Sequence, residues 1–437
     1  MRRRAVANVY WSAWGRLGGL FSSLFIGILV ARYLGKEQYG LMNYVITLVM
    51  VFQVFARFGM DAIETRELAS GRIARDVILG TAFRIKLILA VITYLAIAAM
   101  TFSVKSDPQV RVLILCYATT TFFNCFSLIR NYFTAMVRNV EVTKVELCRL
   151  LISALFKIFL LLIHASLVMF ILAYVLDALL LANGYIWMYR RKAGKISLWQ
   201  YDRGVAKMLL ADSFPLLVSG LMVVGYQRID QLMLMNMIDA NALGVYSVAS
   251  RLTEALLFLP PILIQTLVPI LISIREKNPS IYPVRAQQFV SLIVWISLVT
   301  AGAVSVASYF LIMICFGTEY LAAVPVLQIM VFKAVGSALA TSSGKLIILE
   351  NQQRWEFVRN FVACVVCVAL NTWAIPRYGL VGAAWVAVVT IFAGGFLANL
   401  FIPQYYKYFI IQVRALLWGW FDALQCGGDM YRSIFKK

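Results

Sequence analysis

Runs of about 20 apolar residues recur from one end of the chain to the other, separated by short polar segments. At a rise of about 1.5 Å per residue, each run is long enough as a helix to cross a hydrocarbon layer of about 30 Å. Lipid offers the backbone no hydrogen-bond partner, so such runs must be helices, and they are too long for barrel strands of about ten residues. The pattern predicts an all-α integral membrane protein with twelve transmembrane helices, at 8–31, 38–58, 79–103, 110–131, 147–164, 167–189, 213–236, 245–272, 287–315, 322–344, 356–375 and 379–403. The split between the fifth and sixth rests on the short segment Ile163-His164-Ala165-Ser166.

Lysine and arginine are distributed unequally between the two sides that this pattern defines. The connections on the side of the N-terminus hold 26 of the 40 basic residues, and those on the opposite side hold five: Arg32, Lys36, Lys105, Arg111 and Arg377. The positive side faces the cytoplasm, so the sequence predicts a multi-pass protein of the inner membrane with both termini cytoplasmic. The same asymmetry accounts for the net charge of +20 and excludes the nucleic-acid binding that a basic chain otherwise suggests. Met1-Arg2-Arg3-Arg4 leads into an apolar run too long for a cleavable signal, so the first helix is expected to stay. The outward connections are too short for an outer domain. From Lys407 onward, Leu416, Leu417, Trp418, Trp420, Phe421 and Leu424 beside basic residues predict an amphipathic helix lying in the interface.

A repeat joins the two halves. The turn Ala31-Arg32-Tyr33-Leu34-Gly35-Lys36-Glu37-Gln38-Tyr39-Gly40 returns 204 residues later as Met237-Ile238-Asp239-Ala240-Asn241-Ala242-Leu243-Gly244, bringing Gly40 onto Gly244. Six helices separate the copies, so the halves are predicted to share one orientation about an axis along the membrane normal. The expected organisation is an N-terminal six-helix bundle (1–189), a basic cytoplasmic linker (190–212), a C-terminal six-helix bundle (213–407) and the interfacial tail (408–437).

With Phe58-Gly59-Met60-Asp61, Arg66-Glu67-Leu68-Ala69 and Arg228-Ile229-Asp230-Gln231-Leu232, these segments give a chain that resembles the multidrug/oligosaccharidyl-lipid/polysaccharide exporter superfamily. The resemblance is to its Wzx-type oligosaccharide flippases. It implies two six-helix bundles around a central cavity that opens to each side in turn. The implied cargo is an undecaprenyl-pyrophosphate-linked oligosaccharide, an O-antigen or exopolysaccharide repeat unit, with membrane lipid and polysaccharide-assembly proteins as further partners.

Nine basic residues fall within or at the ends of the predicted helices. Charges at membrane depth are costly and normally face protein or water. Arg16, Lys157, Arg228 and Lys333 lie deepest and are the candidates for a cationic, substrate-binding cavity. Arg251 joins them, although Glu254 one turn on offers it an intrahelical pair. Arg57, Arg84, Lys86 and Arg149 lie near cytoplasmic ends, where snorkelling accounts for them. The buried acids Asp177, Asp230 and Glu254 are candidates for binding a coupling cation. Arg228 and Asp230 are two residues apart and point away from each other, so Asp230 requires another partner.

A surplus of cations suits pyrophosphate and acidic sugars and is the wrong sign for exporting cationic drugs. Nine of the ten prolines lie from Pro215 onward, and Pro215 and Pro260-Pro261 are expected to kink the seventh and eighth helices. His164 is expected to be structural. The seven cysteines lie mostly in apolar runs and carry no metal or disulfide spacing. Neither a phosphate loop nor a catalytic constellation occurs, so no cofactor and no enzymatic activity are expected. A small-molecule antiporter of the same superfamily and, less favoured, a membrane enzyme of polysaccharide assembly are the competing readings.

Overall fold

The computed structural model describes residues 2–103, 107–350, 352 and 355–422, with side chains from Gly18 onward except Leu20. Among the described residues there is no β-strand. The helices are α1 (Arg2–Arg57), α2 (Met60–Ser70), α3 (Arg75–Ser103), α4 (Pro108–Ala118), α5 (Thr120–Asn124), α6 (Ser127–Ala135), α7 (Asn139–Leu162), α8 (Leu167–Lys192) and α9 (Arg203–Met237). They continue with α10 (Ala240–Leu257), α11 (Leu259–Lys277), α12 (Tyr282–Phe316), α13 (Ala323–Met330), α14 (Lys333–Leu349), α15 (Glu356–Phe392), α16 (Ala398–Phe401) and α17 (Tyr406–Leu417).

Twelve spans result. Nine helical stretches of the described residues are long and apolar enough to cross a bilayer. Two of these are double: α1 is interrupted at Gly35 (φ 70°, ψ 172°) and α15 at Gly379 (φ 55°, ψ −134°). Helix α7 supplies the remaining span, with Glu146, Arg149 and Lys157 inside its apolar run. The fifth and sixth spans separate where expected: α7 ends at Leu162, and His164 takes a positive φ of 54° that closes it. Asp239 caps α10 by accepting from the Ala242 amide at 2.7 Å. Gly35 and Asp239 are themselves 204 residues apart, so the two turns fall in the register that Gly40 and Gly244 define.

The chain divides into two compact units, residues 1–224 and 225–437, and the division falls inside α9. In the first unit, Leu128, Ile129, Phe133, Tyr185 and Tyr189 form a core with Ile78 and Leu79. Part of the expected linker folds onto it. The Gln200 amide donates to Asp76 O and the Asp202 amide to Thr81 Oγ1, both at 3.0 Å, while residues 203–212 form the first turns of α9. The second span is followed by a helix rather than a polar connection. Phe58 and Gly59 adopt positive φ and α2 then turns back against α6. A Cβ on Gly59 would meet Leu216 Cβ at 2.7 Å, so only glycine fits both the dihedral and the packing.

In the second unit, Pro260 and Pro261 stand in the first turn of α11, where a proline's missing amide costs nothing, so they open a helix rather than kink one. Pro215, Pro269 and Pro376 do lie inside helices. The tail helix α17 packs on α12 through Tyr408, Gln412 and Ala415 and exposes Trp418, Trp420 and Phe421 beyond its end. Burial and the Glu350 carboxylate, which accepts its hydroxyl at 3.0 Å, push the Tyr408 phenol above its usual pKa and keep it a donor.

Candidate functional site

The first unit holds a buried charge cluster built by α2, α3 and α6. Lys86 Nζ lies 2.8 Å from Asp61 Oδ1 and 2.7 Å from Glu64 Oε1. Asn131 Nδ2 donates to both acids, at 3.0 Å to Asp61 Oδ1 and 2.7 Å to Glu64 Oε2. Lys86 is 2% exposed, which corrects the expectation that it snorkels to the surface. Its stem runs inward because two carboxylates from the neighbouring helix wait there. Glu64 is fully buried as well and extends the set of buried acids named from sequence. Asp61, Glu64 and Glu67 recur every three residues after the second span, and that stripe was the available signal.

Two sequence candidates of this unit lie on the α7–α8 pair. Asp177 accepts from Arg149 at 2.7 Å, so this acid is held in an ion pair. Lys157 is buried and its ammonium sits 3.9 Å from the centroid of the Tyr174 ring, a cation–π contact. Arg16 lies on α1, and its side chain is outside the described residues.

The second unit gathers the rest. Arg228 donates to Glu254 Oε1 at 2.7 Å, an interhelical pair between α9 and α10, whereas the sequence had set Arg251 against that acid. Asp230 has the partner it required: the Tyr246 hydroxyl donates to its Oδ2 and the Gln231 amide to its Oδ1 at 2.8 Å. Both side chains are buried. Tyr246 stands two residues after Gly244 in the repeated turn, so the duplicated motif presents the phenol to the acid.

Asp230 and Lys333 also lie within electrostatic reach of Cys367 on α15, and Thr390 is adjacent to that thiol. Asn371 donates to Cys367 Sγ at 3.3 Å. The Asn371 Oδ1 atom is buried and accepts no hydrogen bond among the described residues. Buried polar atoms are rarely left so. Asparagine in the middle of an apolar run was the signal for Asn371. Among the described residues no three His, Cys, Asp or Glu side chains converge as a metal site would require.

Lys333 opens α14 just after the break at Val331 and Phe332 in the tenth span. It is 8% exposed and has no carboxylate within ion-pair distance among the described residues.

Arg359, at the start of the predicted eleventh span, is buried on α15. Its Nε donates to Gly394 O at 3.1 Å and its Nη2 to Ala340 O and Gly395 O at 3.4 Å. Those glycine carbonyls belong to a π-helical turn, Ala393–Leu397, where the i−4 pattern is broken and carbonyls become available.

The profile of a family described as "Polysaccharide biosynthesis protein" matches residues 5–275. None of the curated proteins matches the chain. Among solved structures, the lipid II flippase MurJ in an inward closed conformation superposes with a TM-score of 0.68 at 13% identity, over 98% of this chain and 99% of that one. An inward-facing multidrug resistance MATE family transporter of the MOP superfamily gives 0.61 at 14% identity, over 89% and 96%. A mutant of the Vibrio cholerae MATE transporter VcmN gives 0.59 at 14% identity, over 95% and 97%. At such identities the likeness is one of fold, and it is the fold of the exporter superfamily expected from the sequence motifs.

Proposed function

Because the chain belongs to the polysaccharide biosynthesis protein family and is a multi-pass membrane protein with the fold of that exporter superfamily, we propose that it flips a polyprenyl-pyrophosphate-linked oligosaccharide. The unit moves from the cytoplasmic to the outer leaflet of the inner membrane by alternating access, with both termini in the cytoplasm. The observation that carries this reading is Lys333, a buried ammonium at a helix start with no carboxylate bound to it. Such a group is stable at membrane depth when an anion joins it, and the pyrophosphate and acidic sugars of the cargo are anions. Lys157 adds positive charge within the first unit, whereas Arg228 is neutralised by Glu254.

Asp230, buried and without an ion-pair partner among the described residues, is the group that binds the coupling cation or proton. Asp177 and Glu254 are committed to Arg149 and Arg228, which makes them weaker candidates for that role. An inward cation and the membrane potential act together, since outward movement of a negative head group is favoured by roughly 2.3 kcal/mol per charge per 100 mV.

The test is transport of a fluorescent polyprenyl-pyrophosphate oligosaccharide in proteoliposomes. The wild type is expected to move it. Lys333→Ala is expected to lower the rate at least about tenfold, the loss of one charge-assisted contact. Asp230→Asn is expected to abolish the response to an imposed ion gradient. A folded wild type that moves no lipid-linked sugar but expels cationic dyes would replace this reading with small-molecule antiport.

A further inference from the structure

Helix α15 is a hairpin. Arg359 near its start reaches Gly394 just past its end, and the chain reverses around Gly379. Its two arms touch where a Cβ on Gly382 would meet Ala374 O at 2.5 Å. On one side of that contact they line an open apolar groove of about 370 Å³. Ala374 and Gly382 lie along it, and Leu370, Trp373, Trp385 and Val389 stand among its walls. It runs along the hairpin for about 12 Å, the length of eight helical residues. Trp373 and Tyr378 lie edge to face at its hairpin end, 5.7 Å between centroids.

Arg377 stands at the same end, its guanidinium 4.9 Å from the centroid of the Trp373 ring. The side chain is exposed and has no carboxylate partner among the described residues. This end of the hairpin is the one opposite α17. A guanidinium stacked on an indole keeps its edge donors free, and that edge fits a phosphate bidentately.

We infer that this groove holds the isoprenoid tail of a polyprenyl phosphate or pyrophosphate, with Arg377 on the phosphate. The inference rests on the flippase reading above, because that reading supplies a polyprenyl carrier. Two features of the groove favour isoprenoid over an ordinary acyl chain. Trp373, Tyr378 and Trp385 stand among its walls, and aromatic side chains pack well against the planar, methyl-branched alkene units of an isoprenoid. The single cation at the mouth then matches a head group attached directly to the chain end. Arg377 belongs to the small set of basic residues on the outer side of the predicted topology, so the groove takes the carrier as it leaves toward the outer leaflet.

The test uses purified full-length protein in detergent and a heptaprenyl phosphate bearing a diazirine on its chain, with a diazirine-labelled phosphatidylglycerol as the second probe. Photolabel from the heptaprenyl phosphate is expected on the peptide spanning 370–389. It should be displaced by unlabelled heptaprenyl phosphate and not by phosphatidylglycerol. Arg377→Gln should weaken labelling about tenfold, the scale of one charge-assisted phosphate contact. Val386→Trp, which fills the groove, should abolish labelling, whereas Trp385→Phe, which keeps an aromatic wall, should retain it. Labelling by both probes with mutual competition would overturn the inference and identify an annular lipid site. So would label unchanged by Val386→Trp in a protein of unaltered melting temperature. Failure here with oligosaccharide transport intact removes only the groove; dye export without oligosaccharide transport removes the flippase reading itself.

Discussion

Lys86 illustrates how a single charge is held at membrane depth. Its ammonium contacts Asp61 and Glu64, and Asn131 bridges the same two acids, so the cation and its two counter-charges are held together by protein groups. Lys86→Met removes the cation and leaves two acids together, which is expected to cost roughly 3–5 kcal/mol. Thermal unfolding in detergent measures it, and adding Glu64→Gln should recover most of the loss. No recovery would mean that the lysine acts through packing alone. Asp230 makes the complementary case. Tyr246→Phe keeps the ring and deletes one donor to a buried carboxylate, so it should destabilise the protein by about 1–3 kcal/mol. It should also change the ion-concentration dependence of transport, a readout that loss of packing would not move. From sequence, Asp230 was recognisable as an acid without a helical partner. The identity of that partner was not, because Tyr246 lies 16 residues away on another helix.

At the scale of elements, helix ends carry much of the specification. The N-cap at Asp239 satisfies an amide that has no partner within the helix, and Asp239→Ala is expected to cost about 1 kcal/mol in melting experiments. The tail helix α17 is joined to the second unit by Gln412. Its Nε2 donates to Leu339 O and Gly395 O at 2.9 Å and to Ser343 Oγ at 3.1 Å, while its Oε1 accepts from Asn399 at 2.9 Å. Gln412→Leu keeps the size and deletes these bonds. The expected outcome is a loss of about 1–3 kcal/mol and faster amide exchange confined to α17. Uniform exchange across the whole unit would mean instead that the bundle depends on this one side chain. The amphipathic composition of the tail was legible in its Trp and Phe positions. That Gln412, a polar residue, anchors the buried face was not, since its partners come from α14, the π-helical turn and α16.

At the scale of the whole molecule, the flippase reading predicts a dependence on voltage. Transport of an oligosaccharide with a net negative head group should accelerate when proteoliposomes are polarised in the sense that draws anions from the cytoplasmic to the outer face. It should slow when the potential is reversed, by up to about 2.3 kcal/mol per charge per 100 mV. A fluorescence assay at several potassium diffusion potentials reads this, and a flat response would assign the driving force to an ion gradient alone. Twelve spans and the 204-residue repeat were determined by the sequence, because span length answers to bilayer thickness and the turn at Gly35 and Asp239 answers to local backbone chemistry. Both are properties of a chain segment and its solvent. Which deep charges pair with one another was decided by tertiary structure: Arg149 with Asp177, Arg228 with Glu254, and Lys86 with two acids of a helix that the hydropathy pattern had left as a connection. Those pairings depend on how each helix is rotated about its axis, and rotation is set by the packing of neighbours distant in sequence.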